Sequence, residues 1–255
     1  MSLVLAEKRS HILVVTLNRP EKRNAINFEM AEELENIWKN FEEDDELYVG
    51  IITGSGENFC AGADLGDLEK LMTRIESKGG PLGFTRMTLS KPVIAAISGY
   101  CVAGGLEIAL WADLRIADES AKFGVLNRRF GVPLVNGGTQ RLPRIVGLGK
   151  ALELILTGKL IDAGEAYRMG LVNELTPKGQ ALNRALELAE VLCSYPQKPM
   201  RNDRKAVFEG LGLSIEKGLD VEAKFGRESI KDGAAFLLAK KFLEDKKGRH
   251  GERLK

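Results

Sequence analysis

The chain has 255 residues, 44% of them hydrophobic and 29% charged, with a formal net charge of +1. That suits one large globular domain, or a domain with an appendage, and leaves no long-range field to draw nucleic acid or an anionic membrane. Three cysteines, an odd number, argue against a disulfide framework and fit a reducing cytoplasm; no signal pattern or spanning apolar run is present, so neither a leader nor a membrane helix is expected.

Leu3 to Glu7 and Ile12 to Leu17 are β-rich runs around a polar turn and predict a hairpin, ended by Asn18-Arg19-Pro20. Phe28, Ala31, Leu34, Ile37, Trp38 and Phe41 recur at helical spacing. Gly50 to Thr53 predicts a short buried strand running into a glycine-rich loop, Gly54 to Asp64. Asp64 is placed to cap a helix over Leu65 to Ser77; a break and a short helix near Phe84 to Leu89 follow. Pro92 to Ile97 reads as a buried strand, Gly104-Gly105 opens a helix through Trp111, and Leu114 to Ala117 is a second apolar strand. Phe123-Gly124, Asn127-Arg128-Arg129 and Gly137-Gly138-Thr139 then form a polar loop, the layout of a site on an α/β scaffold.

Beyond Gly147 the pattern is helical. Ala151 to Leu156 stops at Gly158, and Asp162 with Glu165 makes a capping box for a short helix ending at Gly170. A long amphipathic helix follows over Ala181 to Leu192, then three more near Met200 to Glu209, Ser214 to Glu228 and Gly233 to Glu244. The end, Lys240 to Lys255, is basic but interleaved with Glu244, Asp245 and Glu252, and reads as a solvated tail rather than a phosphate site.

Gly54-Ser55-Gly56 after a strand invites a dinucleotide reading, but Phe59 stands where the third glycine belongs and no Gly-Lys-Ser/Thr follows, so that fold is rejected. With the second glycine turn at Gly104-Gly105, the chain holds two turns that bare backbone N–H groups. Two such turns can aim at one oxygen, the construction of an oxyanion hole. The second also opens a helix, a position that favours negative charge, and Glu107 lies in its first turn. His11 and His250, in a hairpin turn and the tail, are the only histidines. Cys60 and Cys101 therefore read as packing thiols, and HExxH metal chemistry is excluded. Trp38 and Trp111 read as core. Arg128 and Arg129 read as members of structural ion pairs, with Glu107 or a substrate carboxylate as alternative partners.

Asn18-Arg19-Pro-x-x-x-Asn24-Ala25, Phe59-Cys-Ala-Gly-Ala-Asp64, Lys91-Pro-Val-Ile-Ala-Ala, Gly99-Tyr-x-x-x-Gly-Gly-x-Glu107, Phe123-Gly124 and Gly137-Gly-Thr-Gln-Arg-Leu142, in this order, resemble the crotonase (enoyl-CoA hydratase/isomerase) family. The likeness is dense over residues 3–175 and looser over the helical end. It implies an α/β fold: a spiral core of repeated ββα units over 1–195, and a C-terminal helical region over 196–255 for trimerisation or as a lid. It implies homotrimers or hexamers of paired trimers. The implied substrate is an acyl-CoA thioester, with coenzyme A entering as part of it, no other cofactor or metal, and an enolate-like intermediate. By position, the N–H groups of Ala63 and Gly104 would hold the thioester oxygen. Ala61, Ala63, Asp64, Leu65 and Gly66 would line the adenine and pantetheine channel. Lys22, Arg23 and Ala25 would sit near the nucleotide end, a solvated turn being an equal reading for the two cations.

Family hydratases resemble one another in two glutamates that bracket a water. Glu107 matches one; Asn127 stands at the other. Two acids can share the proton transfers, whereas an amide orients water but accepts no proton at neutral pH. Asn127 also reads as a loop residue satisfied by backbone, and Asp113 as a structural aspartate. The expected reaction is hydration of a 2-enoyl-CoA, with Glu107 moving the proton and Asn127 holding water or substrate. Double-bond isomerisation, decarboxylation and thioester hydrolysis use the same oxygen hole, and an acyl-CoA binder without chemistry is the alternative from another class.

Overall fold

Strands covered on both faces carry continuous apolar runs, and the central strands here do. The computed structural model describes residues 2–231 and 233–244; the tail beyond Glu244, with His250, lies outside them. The hairpin forms as β1 (Val4–Arg9) and β2 (Ile12–Leu17), followed by α1 (Phe28–Glu43), β3 (Val49–Gly54), α2 (Leu68–Met72), β4 (Val93–Ile97), β5 (Tyr100–Val102) and α3 (Gly104–Trp111). Next come β6 (Leu114–Asp118), β7 (Lys122–Gly124), a 3-10 turn over Leu126–Phe130, α4 (Gly138–Val146), α5 (Leu148–Thr157), β8 (Leu160–Asp162), α6 (Ala163–Arg168), β9 (Glu174–Thr176) and α7 (Ala181–Ser194). The chain divides into compact units at Met1–Ala189 and Glu190–Lys255, the division falling inside α7. The second unit holds α8 (Gln197–Gly210), α9 (Ile215–Ile230) and α10 (Ala234–Glu244). No helix among the described residues is long and apolar enough to cross a membrane.

Two sheets organise the first unit. The larger has the order β1-β2-β3-β4-β6-β9, parallel except for the hairpin. The smaller has the order β5-β7-β8, with β5 and β7 parallel. The chain alternates between them: β4 to β5 to α3, then β6 to β7 to the 3-10 turn. An earlier turn of the same spiral runs from β3 through Cys60, whose parallel bridge to Cys101 takes the place of a small-sheet strand, to α2. The expected ββα repetition is thus present, and its register stacks Cys60 on Cys101 and Cys101 on Phe123.

Asn27 caps α1 by accepting from the Met30 N–H at 3.0 Å, and the helix buries Met30, Ala31, Leu34, Trp38 and Phe41 at helical spacing. Trp38 packs on Phe41, Phe84 and Trp111. Asp113 accepts from the Val93 N–H at 2.8 Å and ties β4 to the start of β6, the structural role expected of it.

Several local expectations fail. Phe123-Gly124, expected in a loop, lies in β7, and β8 and β9 interrupt the helical pattern expected beyond Gly147, their three-residue length leaving no period to read. The helix near Phe84 to Leu89 does not form. Gly80 and Gly83 have φ of 74° and 92°, and a Cβ on Gly83 would lie 1.9 Å from the Ala31 carbonyl oxygen. The backbone thus meets α1 at Gly83 in a turn just before that stretch, and Phe84 turns its side chain onto Trp38. The helix expected over Leu65 to Ser77 shortens to a 3-10 turn and α2. Conversely, α4 forms where a loop was expected, despite Pro143 inside it and a double glycine at its start, both of which read as breakers.

Candidate active site

The loop after β3 is clamped from the N-terminal side. Asn24, fully buried, donates through Nδ2 to the carbonyls of Ser55 (2.9 Å) and Asn58 (2.7 Å), and its Oδ1 accepts from the Arg19 N–H (2.9 Å). Arg19 pairs with Asp64 at 3.0 Å. Burial alone would raise the Asp64 carboxyl's pKa, but the Gly66 N–H at 3.0 Å and the Arg19 guanidinium outweigh it and hold it below its ordinary value. Ile26 then runs beside the loop as a one-residue parallel bridge. Its N–H donates to the Gly62 carbonyl (2.8 Å), and the Asp64 N–H donates to the Ile26 carbonyl (2.7 Å). In such a ladder the amide of the residue between, Ala63, faces the other way. It has no acceptor among the described residues.

The partner turn is built by strain. Ala103 has φ 53° and ψ −126°, a conformation that costs a side-chain-bearing residue about 1–3 kcal/mol. Its N–H to the Gly124 carbonyl (2.9 Å) and its carbonyl to the Glu107 N–H (3.2 Å) hold it there. The Gly104 N–H that follows is one of the unpaired donors of a helix start. The twin glycines serve close approach rather than unusual φ. A Cβ on Gly105 would lie 2.1 Å from the Cys60 carbonyl oxygen, and one on Gly104 would lie 3.3 Å from the Ala63 nitrogen. Ala63 and Gly104 each follow a register partner, Cys60 or Cys101, by three residues, so their amides arrive side by side. They share the wall of one cavity of about 520 Å³.

Glu107 is in that wall and is 1% exposed. Its Oε1 accepts from the Asn136 N–H (2.8 Å) and from the Gly138 N–H (2.9 Å) at the start of α4. The Asn136 side chain also hydrogen-bonds the carboxylate. Burial pushes the carboxyl's pKa up; the two N–H groups, the Asn136 side chain and the nearby Arg141 guanidinium offset only part of that. Asn136 holds the arrangement together. Its Oδ1 accepts from the Thr85 hydroxyl (2.9 Å) and the Leu82 N–H (3.2 Å), and its carbonyl accepts from Arg141 (3.0 Å), which also reaches the Thr85 carbonyl (2.8 Å). Sequence reasoning missed Asn136, because nothing near it in the chain marks the contacts it makes across the fold.

Asn127 is 5% exposed and lines the same cavity. Its Nδ2 donates at 3.4 Å to the Pro133 carbonyl, while its Oδ1 is buried with no partner. The reading of a loop residue satisfied by backbone thus fails at the oxygen. A buried acceptor left unpaired costs about 1–3 kcal/mol, a cost that a donor arriving in the cavity would remove.

Lys22, Arg23, Ala25, Ala61, Asp64 and Leu65 line the cavity as well, and Arg23 stacks over the Tyr100 ring at 5.0 Å. Gly66 does not line it; its N–H serves Asp64. Neither Arg128 nor Arg129 pairs with a carboxylate among the described residues, contrary to the expected ion pairs. The near carboxylates are already engaged, Glu107 by α4 and Asp64 by Arg19. Arg128 turns to the Val132 carbonyl (3.1 Å), and Arg129 borders the cavity. Cys60 and Cys101 are fully buried; burial pushes the Cys60 thiol up to about 12 and raises Cys101 as well, as packing residues require. The described residues hold no cluster of His, Cys, Asp and Glu able to bind a metal.

The family profile described as Enoyl-CoA hydratase/isomerase matches residues 7–252. The short-chain-enoyl-CoA hydratase of Clostridium acetobutylicum is 37% identical over 256 residues, covering 96% of this chain and 98% of the relative. The crotonyl-CoA hydratase of Syntrophomonas wolfei is 35% identical, covering 93% and 95%. The crystal structure of enoyl-CoA hydratase EchA1 from Mycobacterium marinum is similar with a TM-score of 0.90 at 34% identity, covering 95% and 96%.

Proposed function

The chain belongs to the enoyl-CoA hydratase/isomerase family, and from that premise we propose that it adds water across the double bond of 2-enoyl-CoA thioesters. The observation that carries the reading is the meeting of two unpaired amides, one buried carboxylate and one unpaired side-chain carbonyl in a single cavity. The Ala63 and Gly104 N–H groups accommodate the thioester oxygen, whose charge grows as the enolate forms. Water donates one hydrogen to Asn127 Oδ1 and gives the other, as a proton, to the Glu107 carboxylate, while its oxygen bonds to the β-carbon. The enolate then takes that proton back from Glu107 at the α-carbon. One carboxyl thus serves as base and then acid, and the atoms of water are fully placed. A pKa raised by burial makes this carboxylate a stronger base toward water than an exposed one.

The names of the relatives favour hydration over isomerisation, decarboxylation or hydrolysis. Lys22, Arg23, Ala25, Ala61, Asp64 and Leu65 receive the coenzyme A portion. The protein acts in the cytoplasm as a homotrimer or a pair of trimers; exposed Val207, Phe208, Leu211, Ile215 and Leu219 support burial against further copies. Glu107→Gln is the test. Loss of crotonyl-CoA hydration by about 10²-fold or more, with butyryl-CoA binding retained, is expected. Full activity in that variant ends the reading.

A further inference from the structure

One cation of the cavity has no role in the reaction just described. Three basic residues border the cavity, and they fall into two groups. Lys22 belongs to a 3-10 turn over Pro20–Lys22, and Arg23 follows it directly. Arg23 stacks on Tyr100, the first residue of β5. Arg129 instead belongs to the 3-10 turn that follows β7. Because β5 and β7 run parallel in register, Tyr100 opposite Lys122, this turn lies past the other end of the same strand pair. At 3.3 Å per residue the two ends are about 7 Å apart along the strands, with the Gly104 amide past the far end. The pair at the near end is the one assigned above to coenzyme A. Arg129 lies on the reacting side, two residues beyond Asn127.

The 3-10 geometry keeps it there. At about 2.0 Å of rise per residue, Arg129 is only some 4 Å along the axis from Asn127, and it eclipses Leu126, another residue of the cavity wall. Arg129 makes no hydrogen bond or ion pair with a described residue, while the two carboxylates of the wall are already held, Asp64 by Arg19 and Glu107 by α4. A guanidinium matches a carboxylate through paired N–H donors. We infer that Arg129 is a specificity-determining residue, which selects 2-enoyl-CoA thioesters whose acyl group carries a carboxylate beyond the double bond. This rests on the hydratase reading and narrows its substrate class.

Two matched pairs of thioesters test it. Glutaconyl-CoA differs from crotonyl-CoA by one carboxyl group replacing a methyl hydrogen, and glutaryl-CoA differs from butyryl-CoA in the same way. The wild-type protein should prefer the carboxylate-bearing member in kcat/KM. Arg129→Gln should lower the glutaconyl-to-crotonyl ratio about tenfold, and Arg129→Lys should restore part of it. Equal losses on both substrates would assign Arg129 to the coenzyme A phosphates and overturn the inference, and so would an unchanged ratio. Calorimetric binding of glutaryl-CoA against butyryl-CoA reads the same preference without turnover. If the chain hydrates neither substrate, the hydratase reading falls while this measurement still decides the role of Arg129.

Discussion

Gly62→Ala is the perturbation that most directly tests the paired amides. Gly62 has φ 100°, and a Cβ built there would lie 2.7 Å from the Gly104 nitrogen. An ordinary contact needs about 3.5 Å, so the two turns must part by roughly 0.8 Å. An oxygen held at about 2.9 Å from both amides would then keep one donor, because a separation near 3.6 Å no longer makes a hydrogen bond. Loss of one such donor costs about 10²–10³ in kcat. The strained φ adds a stability cost of about 1–2 kcal/mol that has nothing to do with chemistry. Gly179→Ala separates the two effects: its φ is 80°, but a Cβ there meets nothing within 4 Å. Urea unfolding and crotonyl-CoA hydration should show both variants destabilised, Gly62→Ala the more because of its contact, and only Gly62→Ala slow in kcat. Equal kcat in the two variants would refute the placement of the oxygen between these amides.

Two further outcomes follow from buried polar atoms. Because burial raises the Glu107 pKa, the folded state holds that proton more tightly than the unfolded chain does. The stability this confers is complete below the ordinary carboxyl pKa and is lost as pH rises through the folded value. The urea midpoint of wild type should therefore fall relative to Glu107→Gln over that rise, while kcat/KM climbs with ionisation of the same group; parallel stability curves would contradict this. Asn127→Leu removes the unpaired Oδ1 and should stabilise the fold by about 1–3 kcal/mol while lowering kcat about tenfold, as loss of a water-orienting hydrogen bond implies. Unchanged kcat in a stabler protein would remove Asn127 from the reaction.

The site also shows how a short stretch of sequence can mislead about the cause of a feature it marks correctly. Gly104-Gly105 signals a turn, and the turn is there, yet the positive φ belongs to Ala103. The glycines answer to a contact with the Cys60 carbonyl, a residue more than forty positions earlier in the chain.

What the sequence determined by itself is whatever rests on local chemistry or on ordered motifs. The family, the hairpin, the helical spacing of α1, the glycine turns, Glu107 in the first turn of its helix and the amide at position 127 all belong there. Only the tertiary structure decided which groups meet. Strands β5, β7 and β8 are three residues long, too short to show a period, and it is their pairing that stacks Cys60, Cys101 and Phe123 and so brings Ala63, Gly104 and Asn127 to one cavity. The Asn136 contacts to Thr85 and Leu82 span more than fifty residues, and the orphaned oxygen of Asn127 exists only because folding buries it. Backbone preference acts over a few bonds and is written in neighbouring residues; register and desolvation are properties of surfaces that come together only when the chain has folded.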